Sequence, residues 1–171
     1  LLTYIANAGG SVSRGSESVA PATGNPRGSE ATPASGYRFV NWTLGDTDTE
    51  VSRRNNLTKD VIDQHAKSKE NLYVAKTFKA NFEPKKDVSY TVHYYEKGTT
   101  NKVAVDKIVN NQTFDATVEE TAKDITGYTL VGDNKQTVTL DAYNKEITFN
   151  YVPKTNVSYT VYYKVQNTGQ D

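Results

Sequence analysis

The sequence predicts an α+β, β-rich fold in which small modules follow one another as an elongated string. Three observations carry that prediction. A stretch of chain recurs: Val88-Ser89-Tyr90-Thr91-Val92-His93-Tyr94 reappears as Val157-Ser158-Tyr159-Thr160-Val161-Tyr162-Tyr163, 69 residues on. At the same spacing Pro84-Lys85 reappears as Pro153-Lys154, and Phe78, Ala80 and Phe82 as Ile147, Phe149 and Tyr151. Repeats in register mark units that stack in line. Apolar residues alternate with polar ones through the recurring stretches, the period of a half-buried strand. The composition, with 12 Tyr and only 36% hydrophobic residues, suits pleated, half-exposed surfaces over thin cores.

The repeat divides the chain into residues 1–83, residues 84–153 and the opening strand of a truncated third repeat at 154–171. The joints Glu83 to Asp87 and Pro153 to Asn156 are short and hold Pro, which fixes φ and restricts the residue before it. In the first module, Tyr4 to Asn7 reads as a strand before the Gly9-Gly10 turn, and Ser18 to Ala22 as a second. Ser35 to Trp42 is a third strand, with Tyr37, Phe39 and Asn41 on one face and Phe39 as core anchor. Trp42, the only Trp, falls on the other face or at a bulge. Tyr73 to Phe82 closes the module.

In the second module Val88, Tyr90, Val92 and Tyr94 form one face of the first strand. Lys102 to Val109 reads as a second strand. Thr117-Val118-Glu119-Glu120 has the spacing of a capping box, which predicts a short helix to about Asp124. Gly127 to Val131, Gln136 to Leu140 and Glu146 to Tyr151 complete the module, with Ile147, Phe149 and Tyr151 facing inward. The order β-β-α-β-β-β is compatible with a β-grasp-like sheet wrapped over one helix. Both modules place Gly-Tyr before the third strand. Tyr37 to Phe82 spans 45 positions and Tyr128 to Tyr151 only 23. The excess predicts an insertion at about 52–72, a polar surface elaboration in which Thr58 caps a short helix holding Val61 and Ile62.

Lys plus Arg and Asp plus Glu both number 20, so no basic field draws nucleic acid. No long apolar run inserts into a membrane. Without Cys there is no thiol catalysis, no disulfide and no Cys-ligated metal. No nucleophile, zinc or phosphate-loop motif occurs, so the chain reads as non-enzymatic and without a cofactor. His65 and His93 lack ligand spacing and read as solvated. Asp46, Asp48 and Glu50 alternate as a Ca²⁺ loop can begin, but the sixth and twelfth positions are Val51 and Leu57, not the Gly and Glu of an EF-hand. The candidate binding residues are aromatic: Trp42, Tyr95 and Tyr162 could stack on sugars, as amphipathic rings do at wet, weak sites.

Three segments, Tyr90 to Tyr94, Ile125 to Val131 and Ile147 to Tyr151, resemble the mucin-binding (MucBP-like) repeats of Gram-positive adhesins over Val88 to Pro153. The first hairpin, Glu96-Lys97-Gly98, departs from that family's acidic turn. Tyr4 to Gly10, Gly36 to Trp42 and Phe78 to Phe82 resemble the internalin B-repeat, or Listeria–Bacteroides repeat. The resemblance implies β-grasp folds in extracellular proteins of the bacterial cell surface, anchored to the cell wall and often serving as stalks. It leaves two functions open: attachment to host mucin or glycoprotein glycans, and a structural spacer that projects a distal binding domain. The chain also reads as beginning and ending inside something longer. An isolated opening strand cannot satisfy its backbone groups. Residues 157–163 are therefore expected to pair with a sheet edge, most simply that of a second copy, as an artefact of truncation.

Overall fold

The computed structural model describes residues 1–155 and 158–164. It is β-rich, with one short helix. The N-terminal half is built on β1 (Leu2–Ala6), β2 (Gly10–Val12), β3 (Ser16–Glu17), β4 (Ser29–Pro33) and β5 (Tyr37–Leu44). β6 (Glu50–Ser52), β7 (Asn56–Leu57), α1 (Lys59–His65) and β8 (Lys76–Pro84) complete it. The C-terminal half holds β9 (Val88–Glu96), β10 (Lys107–Gln112), β11 (Thr117–Thr121), β12 (Tyr128–Val131), β13 (Lys135–Thr139) and β14 (Lys145–Pro153).

The two main sheets share one plan. Their orders are β3-β1-β8-β5-β6 and β10-β9-β14-β12. In each, the first and last long strands are central neighbours and run parallel, from Leu2↔Lys76 to Ala6↔Ala80 and from Lys145↔Tyr90 to Tyr151↔Glu96. In each, the strand that begins with the Tyr of Gly-Tyr flanks the last strand antiparallel, with Tyr37 opposite Pro84 and Tyr128 opposite Pro153. Parallel neighbours need a long crossover. β2-β4-β7 with α1 occupies that crossover in the first half, and the β11–β13 ribbon does so in the second.

Alternation decides which side chains are buried. Val88, Tyr90, Val92 and Tyr94 are all buried, as are Ile147, Phe149 and Tyr151 on the neighbouring strand. Tyr94 stacks on Phe149 with ring centroids 6.2 Å apart. A separate cluster in the first half contains Leu2, Tyr4, Trp42, Phe78, Ala80 and Phe82.

Several elements differ from the sequence-based expectation. Thr117 to Thr121 is a strand, not the expected helix. Its β-branched residues pair with β13, from Thr117↔Thr139 to Thr121↔Lys135, and a cross-strand partner outweighs a capping-box spacing. Residues 18–22 form no strand. The strand expected from Lys102 begins only at Lys107, because residues 97–106 fold back as a loop on β9 and leave Val105 83% exposed.

In β5 the pairing slips between Phe39 and Asn41, so Val40 is an extra residue and the faces exchange beyond it. Trp42, rather than Asn41, then shares the inner face with Phe39. Trp42 is 0% exposed and is the central anchor, while Phe39 is only partly buried. The segment 52–72 is not a surface elaboration: Leu57, Ile62 and Ala66 are each 0% exposed. Thr58 does occupy the N-cap position of α1, but without a side-chain cap hydrogen bond. Residues 158–164 form no ladder within the chain, and Val157 lies outside the described residues.

The joint between the halves is clamped by backbone bonds. Lys85 N–H donates to Gly36 O at 2.8 Å, and Phe114 N–H donates to Lys85 O at 2.9 Å. Tyr37, from the first half, packs on the second cluster and donates its hydroxyl to Asp115 Oδ2 at 2.6 Å.

Glu120 is a buried charged group in the second half. Glu120 accepts from Tyr90 OH at 2.6 Å and from Lys107 Nζ at 2.7 and 2.8 Å. Burial alone would raise this carboxyl, but the Lys107 ammonium and the Tyr90 hydroxyl outweigh it and hold it below the usual carboxylate range. Burial, with the bond to Glu120, pushes the Tyr90 hydroxyl up to about 12. An unfolded Glu titrates at about 4.3, so the stability that Glu120 contributes is complete above that pH and is lost as pH falls through the lower folded value. The Tyr90 contribution is complete below about pH 10 and is lost as pH rises toward the folded value. Thermal melts from about pH 7 down to about pH 3 should show the second half losing stability more steeply than Glu120→Gln does. Identical acid slopes would show that Glu120 is not linked to folding.

Candidate functional site

On the outer face of the second sheet, aromatic, acidic and apolar groups converge beside open surface. Alternation along β9 sends His93 and Tyr95 to the face opposite Tyr94. Their rings stack, with centroids 5.5 Å apart and planes 16° from parallel. His93 is not the solvated residue that the sequence suggested. Its side chain is 14% exposed, with Nδ1 3.0 Å from Asp106 Oδ2 and Nε2 3.7 Å from Glu146 Oε1.

The loop 97–106 brings the acid into place. Val103 N–H donates to Tyr94 O at 2.9 Å, and Tyr95 and Lys102 form an isolated bridge. Asp106 Oδ2 accepts from Lys102 Nζ at 2.7 Å. The Lys102 ammonium, with His93 adding to it, holds the Asp106 carboxyl below the usual carboxylate range against the opposing effect of desolvation. Asp106 Oδ1 is buried and has no hydrogen-bond partner among the described residues. Beside it opens a shallow groove of about 530 Å³, lined by Lys102, Val103, Ala104, Val105, Asp106 and Ile108. Val105 and Ile108 are strongly exposed there. The groove has an apolar floor, and Asp106 in its wall joins it to the His93–Tyr95 ring pair, which does not itself line the groove.

The three aromatic candidates lie in different places. Tyr95 belongs to this surface and is half-buried. Trp42 is inside the first core, where its indole N–H donates to Asn55 O at 3.0 Å, so its ring cannot reach a sugar. Tyr162 is 85% exposed in the segment 158–164, which has no regular structure. Sequence reasoning missed Lys102, Asp106 and Glu146. The i, i+4 spacing of Lys102 and Asp106 was visible, but their position against His93 depends on how the loop folds back.

The acidic stretch does not converge on one point. Asp46 lies 3.2 Å from Lys76, Asp48 3.5 Å from Lys79, and Glu50 2.8 Å from Arg53. Among the described residues no group of three or more His, Asp or Glu is arranged to hold a metal ion. No helix among them is long and apolar enough to cross a membrane.

Comparison with known proteins gives three results. A search of curated proteins finds no match. Among solved structures, the type 2 repeat of the mucus binding protein MUB from Lactobacillus reuteri is 14% identical, with 70% of this chain and 76% of that chain covered, at a TM-score of 0.29. The crystal structure of Mub-RV is 15% identical, with 90% of this chain and 97% of that chain covered, at a TM-score of 0.32. The family match falls on the segment whose Tyr4 to Gly10, Gly36 to Trp42 and Phe78 to Phe82 resemble a B-repeat. With residues 1–95 of its 171 matched, the chain belongs to the divergent InlB B-repeat domain family.

Proposed function

We propose that this chain is a non-catalytic repeat region of a bacterial cell-surface adhesin. In this reading residues 1–83 and 84–153 are tandem β-grasp-like modules, and 154–171 opens a further repeat. The protein stands outside the cell, attached to the wall, and this region acts as a spacer that holds a distal binding domain away from the surface. One observation carries the spacer role: in both sheets the first and last strands are parallel neighbours. Tension enters a module at the start of its first strand and leaves at the end of its last. Between parallel neighbours that tension acts as shear along the ladder, so all the hydrogen bonds resist together instead of opening one by one.

A second reading, attachment to mucin or glycoprotein glycans, is favoured by the His93–Tyr95 stack beside the Lys102–Ile108 groove. Force spectroscopy tests the first reading. The chain has no Cys, so introduced thiols are unique handles. Pulling residues 87 and 154 apart should need several-fold more force than pulling residues 87 and 112, because β9 and β10 are antiparallel there and unzip. Equal forces would remove the mechanical argument for a spacer. Titration of mucin glycans onto the chain and its Tyr95→Ala variant tests the second reading, and binding unaffected by that substitution would set the groove aside.

A further inference from the structure

The start of β12 reproduces a junction that is filled at the start of β5, and here no described residue fills it. At the filled junction Gly36 has φ +78°, Tyr37 N–H donates to Ala34 O at 3.1 Å, and Lys85 N–H donates to Gly36 O at 2.8 Å. At the second, Gly127 has φ +83°, Tyr128 N–H donates to Ile125 O at 3.1 Å, and Lys154 N–H donates to Gly127 O at 2.8 Å. Each Tyr stands opposite the Pro that precedes the Lys. The two platforms agree in sequence, backbone conformation, register and hydrogen bonding.

Phe114 and Asp115 fill the first platform. A Cβ on Gly36 would lie 2.4 Å from the Phe114 ring, so only Gly admits that ring. Tyr37 meets it edge-on, with centroids 5.7 Å apart and planes at 70°. Tyr37 OH bonds the carboxylate of Asp115, and Lys85 O accepts the Phe114 amide. At the second platform, nothing among the described residues other than the adjoining Thr126 and Tyr128 lies within 4 Å of where a Cβ on Gly127 would sit. A depression of about 280 Å³ opens there, lined by Asp124, Ile125, Thr126, Gly127, Tyr128 and Lys154.

We propose that Gly127, Tyr128 and Lys154 form a docking socket for the Phe-Asp turn of a further repeat, equivalent to Phe114-Asp115. The incoming ring lies over Gly127 and against Tyr128. The incoming carboxylate takes the Tyr128 hydroxyl, and the incoming Phe amide bonds Lys154 O. The sequence argues for this occupant: Val157 follows Lys154 at the spacing with which Val88 follows Lys85, and it opens the same strand sequence. A unit that continues from there delivers its own Phe-Asp turn at the distance that fills the first platform. The same clamp would then set the angle between every pair of repeats. The inference rests on the tandem-module reading.

The test uses residues 1–163 continued by a second copy of residues 95–153, which completes the repeat begun at Val157. NMR on this extended chain should show shifted Gly127 and Tyr128 resonances and at least about tenfold slower exchange at the amide of the added Phe. A tenfold slowing corresponds to about 1.4 kcal/mol of protection. Tyr128→Phe, or Ala at the added Phe and Asp, should abolish both effects and leave every unit folded. Tyr37→Phe serves as the internal reference at the filled junction. A folded added unit with unmoved Gly127 and Tyr128 signals would overturn the socket and leave tandem modules standing. An added unit that fails to fold by itself, or merges into one core with residues 84–153, would overturn both.

Discussion

Excision of residues 52–72, closed by a short Gly-Ser turn, should unfold the N-terminal half of the chain. The segment looks expendable in sequence, being polar and lacking a counterpart in the second half. In the structure it supplies Leu57, Ile62 and Ala66, all fully buried, and Asn55, whose carbonyl accepts the Trp42 indole. β7 also pairs with β4. Loss of a buried Leu or Ile side chain costs about 2–5 kcal/mol each. An unsatisfied buried indole N–H adds about 1–3 kcal/mol. Half a chain of this length holds only about 4–12 kcal/mol in total. The loop entropy recovered by shortening is about 0.6 kcal/mol per halving, too small to compensate. Near-ultraviolet circular dichroism and Trp emission would read the outcome, because Trp42 is the only Trp. Emission that remains that of a buried indole, with an undiminished thermal transition, would show that the segment is dispensable.

Trp42→Ala should destabilise the same half by about 3–5 kcal/mol, the cost of removing a large buried aromatic. The ring meets Tyr4 edge-on and Phe39 at a tilt, with both centroids 6.4 Å away. Trp42→Phe retains part of the ring but loses the bond to Asn55, so an intermediate loss is expected. None of Tyr4, Phe39 and Trp42 belongs to the second core, so its urea transition, followed by circular dichroism, should shift by no more than the loss of the Tyr37 contact accounts for. Tyr95→Ala, on the open face, should cost far less. A Trp42→Ala loss below about 1 kcal/mol would contradict full burial and return the ring to the surface.

Period-two alternation was enough to identify the inner faces of β9 and β14, because a side chain on a strand points to one face or the other. The 69-residue repeat and the paired Gly-Tyr signals located the corresponding strands of the two halves. By contrast, the role of Trp42 turns on one extra residue at Val40, and a bulge appears only when β5 has β8 to pair with. Thr117 to Thr121 carries both a capping-box spacing and β-branched residues, and β13 resolves the conflict.

The aromatic candidates separate for the same reason. Exposure is a property of what packs above a residue, so Tyr and Trp in alternating strands look alike until the chain folds. His93 reads as solvated because Asp106 and Glu146, which flank it, are distant in sequence. The sequence by itself determined the β-rich class and the inner faces of β9 and β14, both of which depend on local geometry and short-range period. The tertiary structure alone decided the parallel pairing of first and last strands, the burial of Leu57 and Ile62, the interior position of Trp42 and the clamp at Phe114. Each of those depends on a partner brought from far along the chain, which no local pattern encodes.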